Sequence, residues 1–270
     1  MTSYGEHPTP RRHLNKAPEV TISFWIVTIL ATAAGQSFTG LLVNTVGLGL
    51  TRTTMVMTTV LGGVMVVQLR AERHVPALYW LVVTLISIVG TLIGANLTDT
   101  FDVSPGTATI VFAALLAGTF AVWYAKERTL SLGAIDTPGR EAFYWLAILF
   151  TFVLGAAVGD VAAEALNLGY GAAVTVFALA VAAIEAARRF LGLATVTAFW
   201  LAYTLAHPLT ADLGDLLSQP TDAGGLGIGT PLPGLVFLAA IVAIIAHLTA
   251  SRRNPQPHHT AAHDPEDRSS

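Results

Sequence analysis

Residues 144–160 read YWLAILFTFVLGAAVGD: an aromatic pair, a glycine ten residues after Trp145, and a closing Gly159-Asp160. The only charge in this stretch stands at its end. The run approaches the roughly 20 apolar residues that a helix needs to cross a bilayer. The same figure returns three times. Phe24-Trp25, Tyr79-Trp80 and Phe199-Trp200 open similar stretches, and the tryptophans are 55, 65 and 55 residues apart. Ten residues after each Trp come Gly35, Gly90, Gly155 and Thr210; fourteen after come Thr39, Gly94, Gly159 and Gly214. Leu48-Gly49-Leu50 and Leu168-Gly169-Tyr170 fall at equal offsets in the first and third copies.

A second apolar stretch follows each of these, so each copy is a two-helix unit. The eight stretches run 20–42, 52–69, 76–97, 107–125, 141–165, 170–187, 195–217 and 231–250. None alternates as a barrel strand would, and helices satisfy their own backbone hydrogen bonds in lipid. The sequence therefore predicts an all-α polytopic membrane protein, with eight transmembrane helices in four tandem helical hairpins. The odd-numbered helices carry the glycines and the polar residues and are expected inside. The even-numbered ones are more uniformly apolar and are expected to face lipid.

Composition agrees. Of 270 residues, 53% are hydrophobic and only 11% charged, and the mean hydropathy is +0.63. Soluble domains carry about 25% charged residues, so a cytosolic enzyme, a nucleic-acid binder and a disordered chain are all excluded. The net charge of −3 gives no basic field for a polyanion. With no cysteine, thiolate chemistry and disulfides are absent.

Charge also predicts orientation. The N-terminal tail and every second loop hold 13 of the 14 basic residues, and the remaining loops hold only Arg52. By the positive-inside rule both termini are cytoplasmic, in the cell's inner (plasma) membrane. The chain divides into a cytoplasmic tail (1–19), a first membrane half (20–129), a cytoplasmic linker (130–140), a second membrane half (141–250) and a disordered tail (251–270) rich in Pro, His and charge. Arg11-Arg12 before the first apolar run imitates a secretory signal. Its recurrence inside the chain argues for a span instead. The aromatic pairs read as a belt at the inner interface, in preference to a ligand-stacking role. The loop 219–233 reads as a connector on the outer side.

The aromatic-Trp pair, the glycine ten residues on and the Gly-Asp pair, in four tandem hairpins, resemble a bacterial repeat family of unknown function whose members are labelled uncharacterised membrane-anchored proteins. The opening Lys16-Ala17-Pro18-Glu19-Val20-Thr21-Ile22-Ser23-Phe24-Trp25 is similar to theirs, and the resemblance covers residues 16–250. The family motif after Trp reads Gly-Glu-Thr-x-Gly-Asp. Here the first copy has Gly35-Gln36-Ser37 and Thr39-Gly40, and the second Gly94-Ala95-Asn96, so the acids are missing; the third keeps Gly159-Asp160 and the fourth Gly214-Asp215, with Asp212 added. The resemblance implies no activity.

Chemistry must come from polar groups at membrane depth, which are costly and rarely persist without a use. Asp160 and Glu164 share a face of the fifth helix, and Asp212 and Asp215 share one of the seventh. His207 also lies on the seventh helix, and Gln36 and Asn96 occupy comparable depths on the first and third. Asp160 stands 15 residues past Trp145, about 22 Å along a helix, so it sits in the outer half of the bilayer. For Glu164, Asp99 and Asp215, an ion site and a solvated helix end are both open readings. Carboxylate, amide and carbonyl oxygens suit hard cations, and carboxylates can also trade protons. Asp212-Leu213-Gly214-Asp215 faintly resembles the Glu-x-Gly-Asp motif of a cation/proton exchanger family. Pro208 can break the seventh helix and free carbonyls, or merely kink it.

No P-loop, Gly-x-Ser-x-Gly elbow or His-Glu-x-x-His occurs, so no enzyme and no cofactor are expected. The expectation is a secondary transporter of a small cation, a divalent metal in preference to others and possible proton coupling, with Asp160 and Asp212 as first ligands. Glu164, Asp215, His207, Gln36 and Asn96 are secondary ones. The alternatives are a scaffold or partner subunit without cargo and a lipid-modifying enzyme using His207 with Asp212. The expected partners are the bilayer and the cation, with no nucleic acid; oligomeric state is undetermined.

Overall fold

The structure, a computed structural model, describes residues 18, 20–71, 74–166, 169–218 and 220–228 and, singly, 236, 239 and 243, with the side chains at 134, 163–166, 215, 218 and 223 excepted. Among these residues it is all-α. Seven long helices follow in order: α1 (Ile22–Gly40), α2 (Leu50–Arg70), α3 (Pro76–Ala95), α4 (Pro105–Glu127), α5 (Pro138–Leu166), α6 (Tyr170–Phe190) and α7 (Thr195–Ser218). The first six are long and apolar enough to cross a membrane. The expected count of eight is thus not reached among the described residues. α7, broken in composition by His207, Pro208 and two aspartates, falls outside those six, and the stretch 231–250 lies outside the described residues except for helical positions 236, 239 and 243. The protein is an all-α polytopic membrane protein built from tandem two-helix repeats. The two terminal tails lie outside the described residues. α5 begins at Pro138, so helix replaces the end of the expected linker.

Local sequence explains the helix ends. Thr21 caps α1 by accepting the amide of Phe24 at 3.3 Å, and Ser104 caps α4 by accepting that of Thr107 at 3.2 Å. Pro76 and Pro105 open α3 and α4, where a missing N–H costs nothing. Inside the spans, threonine hydroxyls donate to the carbonyl one turn back: Thr28 to Phe24, Thr32 to Thr28 and Thr151 to Ala147, at 2.9, 2.9 and 2.7 Å. Each hydroxyl is thereby satisfied where no water can reach. α1 and α3 both run on into a π-helical turn, Leu41–Thr45 and Asn96–Thr100, beginning sixteen residues after their tryptophans.

The odd helices form a closed ring: α1 packs on α3, α3 on α5, α5 on α7, and α7 returns to α1. Chain connectivity makes all four run the same way. The even helices lie outside this ring, as expected from their composition. In α3 and α5 67% and 56% of the most apolar window is buried, against 17%, 22% and 11% in α2, α4 and α6. One feature departs from a stack of hairpins. Each even helix packs against the odd helix of the next repeat: α2 on α3, α4 on α5 and α6 on α7.

Apart from the half-buried Trp25, the aromatic pairs are interior, which corrects the expectation of an interfacial belt. Phe24, Trp80, Trp145 and Trp200 are at most 5% exposed. The ring residue before each Trp touches the Trp of the next repeat: Phe24–Trp80, Tyr79–Trp145, Tyr144–Trp200 and Phe199–Trp25, with centroids 5.5, 5.3, 6.2 and 5.8 Å apart. The fourth contact closes the circle. Trp123, outside the repeat pattern, joins the cluster from α4, 6.3 Å from Trp200. Burial of these faces removes far more apolar surface from the lipid contact than a belt would, and the hydroxyls of Tyr79 and Tyr144 satisfy each other inside it.

Candidate functional site

Each odd helix presents one stripe to the ring axis. It comprises the residue before the Trp and those three, seven and eleven after it, each four apart and so on one face. The lowest level is Phe24, Tyr79, Tyr144 and Phe199; the next is Thr28, Val83, Ile148 and Tyr203; the third is Thr32, Ser87, Phe152 and His207. All twelve are buried. These three levels plug the aromatic end of the ring. The motif glycines explain how the helices come so close. A Cβ on Gly35 would lie 2.9 Å from Ser87 Oγ, one on Gly90 2.9 Å from Phe152 Cβ, and one on Gly155 2.8 Å from His207 Cβ. Each glycine thus receives the third-level residue of the next repeat. In the fourth copy the glycine is Thr210, whose hydroxyl turns back to the carbonyls of Ala206 and His207, both at 2.9 Å.

The fourth level, Gln36, Thr91, Ala156 and Ala211, does not fill the axis. Alanine in the second half and polar residues in the first leave a cavity of about 440 Å³, open at the end opposite the aromatic plug. Asp160 from α5, Asp212 from α7 and Asp99 from the π turn after α3 line it. Thr98 and Tyr170 add hydroxyls, and no Lys, Arg or His is among the described residues that line it. Asp99 and Asp160 are exposed and sit at a hydrated mouth, while Asp212 is half-buried with its Oδ2 covered. Three like charges facing one water-filled space give it a negative potential.

The expected site residues thus separate. Gln36, Asp160 and Asp212 share the cavity. His207 does not line it; it lies one turn nearer the plug, 2% exposed, with Phe152 edge-on at 4.9 Å. Asn96 is elsewhere too. Its amide donates to Thr54 Oγ1 at 2.6 Å and its carbonyl accepts from Thr51 at 3.2 Å, which pins α2 to α3. The side chains of Glu164 and Asp215 lie outside the described residues. Among the described residues no three His, Asp or Glu side chains are grouped to hold a metal ion.

The sequence left Asp99 open between site and helix end, and it did not point to Thr91, Thr98 or Tyr170. Thr91 had a signal: it stands eleven residues after Trp80, as Gln36 does after Trp25. It also passed over Glu141, 1% exposed at the plugged end, which accepts from Gln68 at 2.9 Å and from Trp145 at 3.4 Å.

The repeats seen in packing have a family counterpart. A model described as Repeat of Unknown Function (DUF347) matches four times, over residues 23–74, 78–129, 143–191 and 198–254. The chain belongs to this family. Each DUF347 match begins at the residue immediately before the aromatic pair, so the family unit is one inner helix with the outer helix that follows it. The fourth DUF347 match runs across the stretch expected to hold the last span. No curated protein and no solved structure matches the chain.

Proposed function

We propose that this protein is a secondary transporter of a small cation, rather than an enzyme, and that the cation enters the cavity between the four inner helices. The observation that carries this is the lining: Asp99, Asp160 and Asp212 with the Gln36 amide, and no positive side chain among the described lining residues. At about 30 Å³ per water, the cavity has room for roughly fifteen waters, so the ion enters hydrated and meets oxygen ligands of the kind hard cations prefer. A cavity open at one end and plugged with aromatics at the other is the form expected of one state of an alternating-access carrier.

The same reading includes orientation and count. Arg70, Lys126, Arg128, Arg140, Arg188 and Arg189 lie at the plugged end and Arg52 at the open one, which supports a cytoplasmic plug and an external mouth in the plasma membrane. The reach of the fourth family match to residue 254 supports an eighth span in 231–250. A lipid-modifying enzyme built on His207 and Asp212 is less well supported, because His207 is outside the cavity that Asp212 lines.

The test is ion flux in vesicles reconstituted with the full chain, across Na⁺, K⁺, Mg²⁺, Ca²⁺ and Mn²⁺. Flux of one of these, reduced in Asp160→Asn and Asp212→Asn, is the expected result. No flux of any, with folded protein in the vesicles, overturns the proposal.

A further inference from the structure

A second space, of about 260 Å³, lies outside the ring, where α2 and α5 stand apart over α3. Leu61 and Met65 of α2 and Leu146 and Leu149 of α5 form its walls. Its floor is Ile86 and Trp145, both buried. Leu61, Met65 and Leu69 are four apart, so one face of α2 lines the groove for about 12 Å of helix. Leu146 is exposed, so the groove opens toward the bilayer. Its side chains offer water no hydrogen-bonding partners.

The equivalent seam one repeat later is filled by the protein itself. Phe120 stands 40 residues after Trp80, as Met65 does after Trp25. Its ring packs on Trp200 at 4.9 Å between centroids. Trp123, fully buried, meets Trp200 as well, at 6.3 Å. Gln68 holds the place of Trp123 in the first repeat, each 43 residues after the repeat's Trp. Its amide donates to Glu141 at 2.9 Å and ties α2 to α5 at the plugged end. The first seam therefore lacks two rings that the second has, and the unfilled volume is apolar and faces hydrocarbon.

The groove also has a basic end. Arg70 follows Leu69, closes α2 at the plugged end and is exposed. It forms no ion pair among the described residues. At the same end Arg140 is held by Glu127 and Asp136, and Arg188 and Arg189 by Glu185, at 2.6–2.8 Å. Arg70 is left for an anion from outside the protein. A lipid phosphate belongs at that level, with its chain running past Leu69, Met65 and Leu61 toward the middle of the bilayer.

We propose that this groove seats one acyl chain of an anionic phospholipid whose phosphate is met by Arg70. The proposal does not depend on what the axial cavity carries. The seated chain packs behind Trp145, which meets Tyr79 of the plug at 5.3 Å. The lipid thus braces the plug from outside.

The experiment is quenching of tryptophan fluorescence in the full chain, in mixed micelles, by phosphatidylglycerol or phosphatidylcholine brominated on the acyl chains. Lipid that merely surrounds the protein quenches in proportion to its amount, through the half-buried Trp25, whatever its headgroup. A seated lipid adds a saturating component through Trp145. That component should appear in wild type at lower phosphatidylglycerol than phosphatidylcholine. It should vanish in Met65→Phe, which supplies the ring that the next repeat has. In Arg70→Gln, phosphatidylglycerol should bind about fivefold more weakly, the worth of one basic side chain near a membrane surface. Equal quenching of wild type and Met65→Phe overturns the proposal, as do identical curves for the two lipids or an unchanged half-saturation in Arg70→Gln. No saturating component in wild type also overturns it, whether detergent, a second copy or nothing fills the groove. If Met65→Phe does not fold, Leu149→Phe narrows the groove from the opposite wall and is read in the same way.

Discussion

A Cβ on Gly155 would stand 2.8 Å from the Cβ of His207 and 2.8 Å from the carbonyl oxygen of Thr204. The second neighbour is backbone and cannot swing away. Gly155→Ala should therefore lower stability by about 1–3 kcal/mol, the usual cost of overpacking. Gly62→Ala, with nothing within 4 Å of the new carbon, should leave it unchanged or slightly raised. Thermal unfolding of both variants in one detergent checks the contrast. Equal melting temperatures would count against the tight α5–α7 seam.

Asp160→Asn and Asp212→Asn should each reduce cation binding about tenfold, the effect of losing roughly 1.4 kcal/mol, with little change in melting temperature for Asp160→Asn, whose side chain is exposed. Asn96→Ala should do the reverse. It removes the donor to Thr54 and the acceptor for Thr51, costing about 1–3 kcal/mol of stability without altering which ion is bound. Isothermal titration beside a melting curve separates the two behaviours.

Tyr79 and Tyr144 share one hydrogen bond inside the plug. Either single change to Phe strands a hydroxyl and should cost about 1–3 kcal/mol, whereas the double change strands none and should cost less than the sum. A double-mutant cycle on unfolding free energies measures this. Additive losses would mean that the two hydroxyls do not act on each other.

Trp80→Ala should cost about 3–5 kcal/mol and open the plug, because its ring meets Phe24 and Tyr79 at 5.5 and 5.1 Å. Vesicles carrying it should leak small ions in both directions without saturation. A tight membrane with folded protein would place the seal elsewhere.

Much of this architecture was legible in the chain. Spacing of aromatic pairs marked the repeats, and glycines and polar residues on the odd stretches marked the inner ring. The destination of the tryptophans was not legible. Periodicity shows that Trp80 and Gly90 belong to one helix, but whether that helix turns Trp80 to lipid or to the axis depends on the neighbour that receives it. Asn96 was placed in the site on depth alone, when depth says nothing of azimuth; its face meets α2. Asp99 stayed open between an ion site and a helix end because the π turn that carries it to the cavity has no sequence signature. Gln36, Asp160 and Asp212 were found because polarity inside an apolar run is itself a signal.

The handing of α2 to α3, of α4 to α5 and of α6 to α7 bears on how the chain is made. Synthesis delivers spans from the N-terminus onward, so every outer span leaves the ribosome before the surface it will occupy exists. It must wait in lipid for the nascent chain to supply its dock. A chain cut after α2 or α4 would end on a stranded span, whereas one cut after α3 or α5 would end on a seated one. Degradation by membrane quality control should alternate accordingly with the site of truncation.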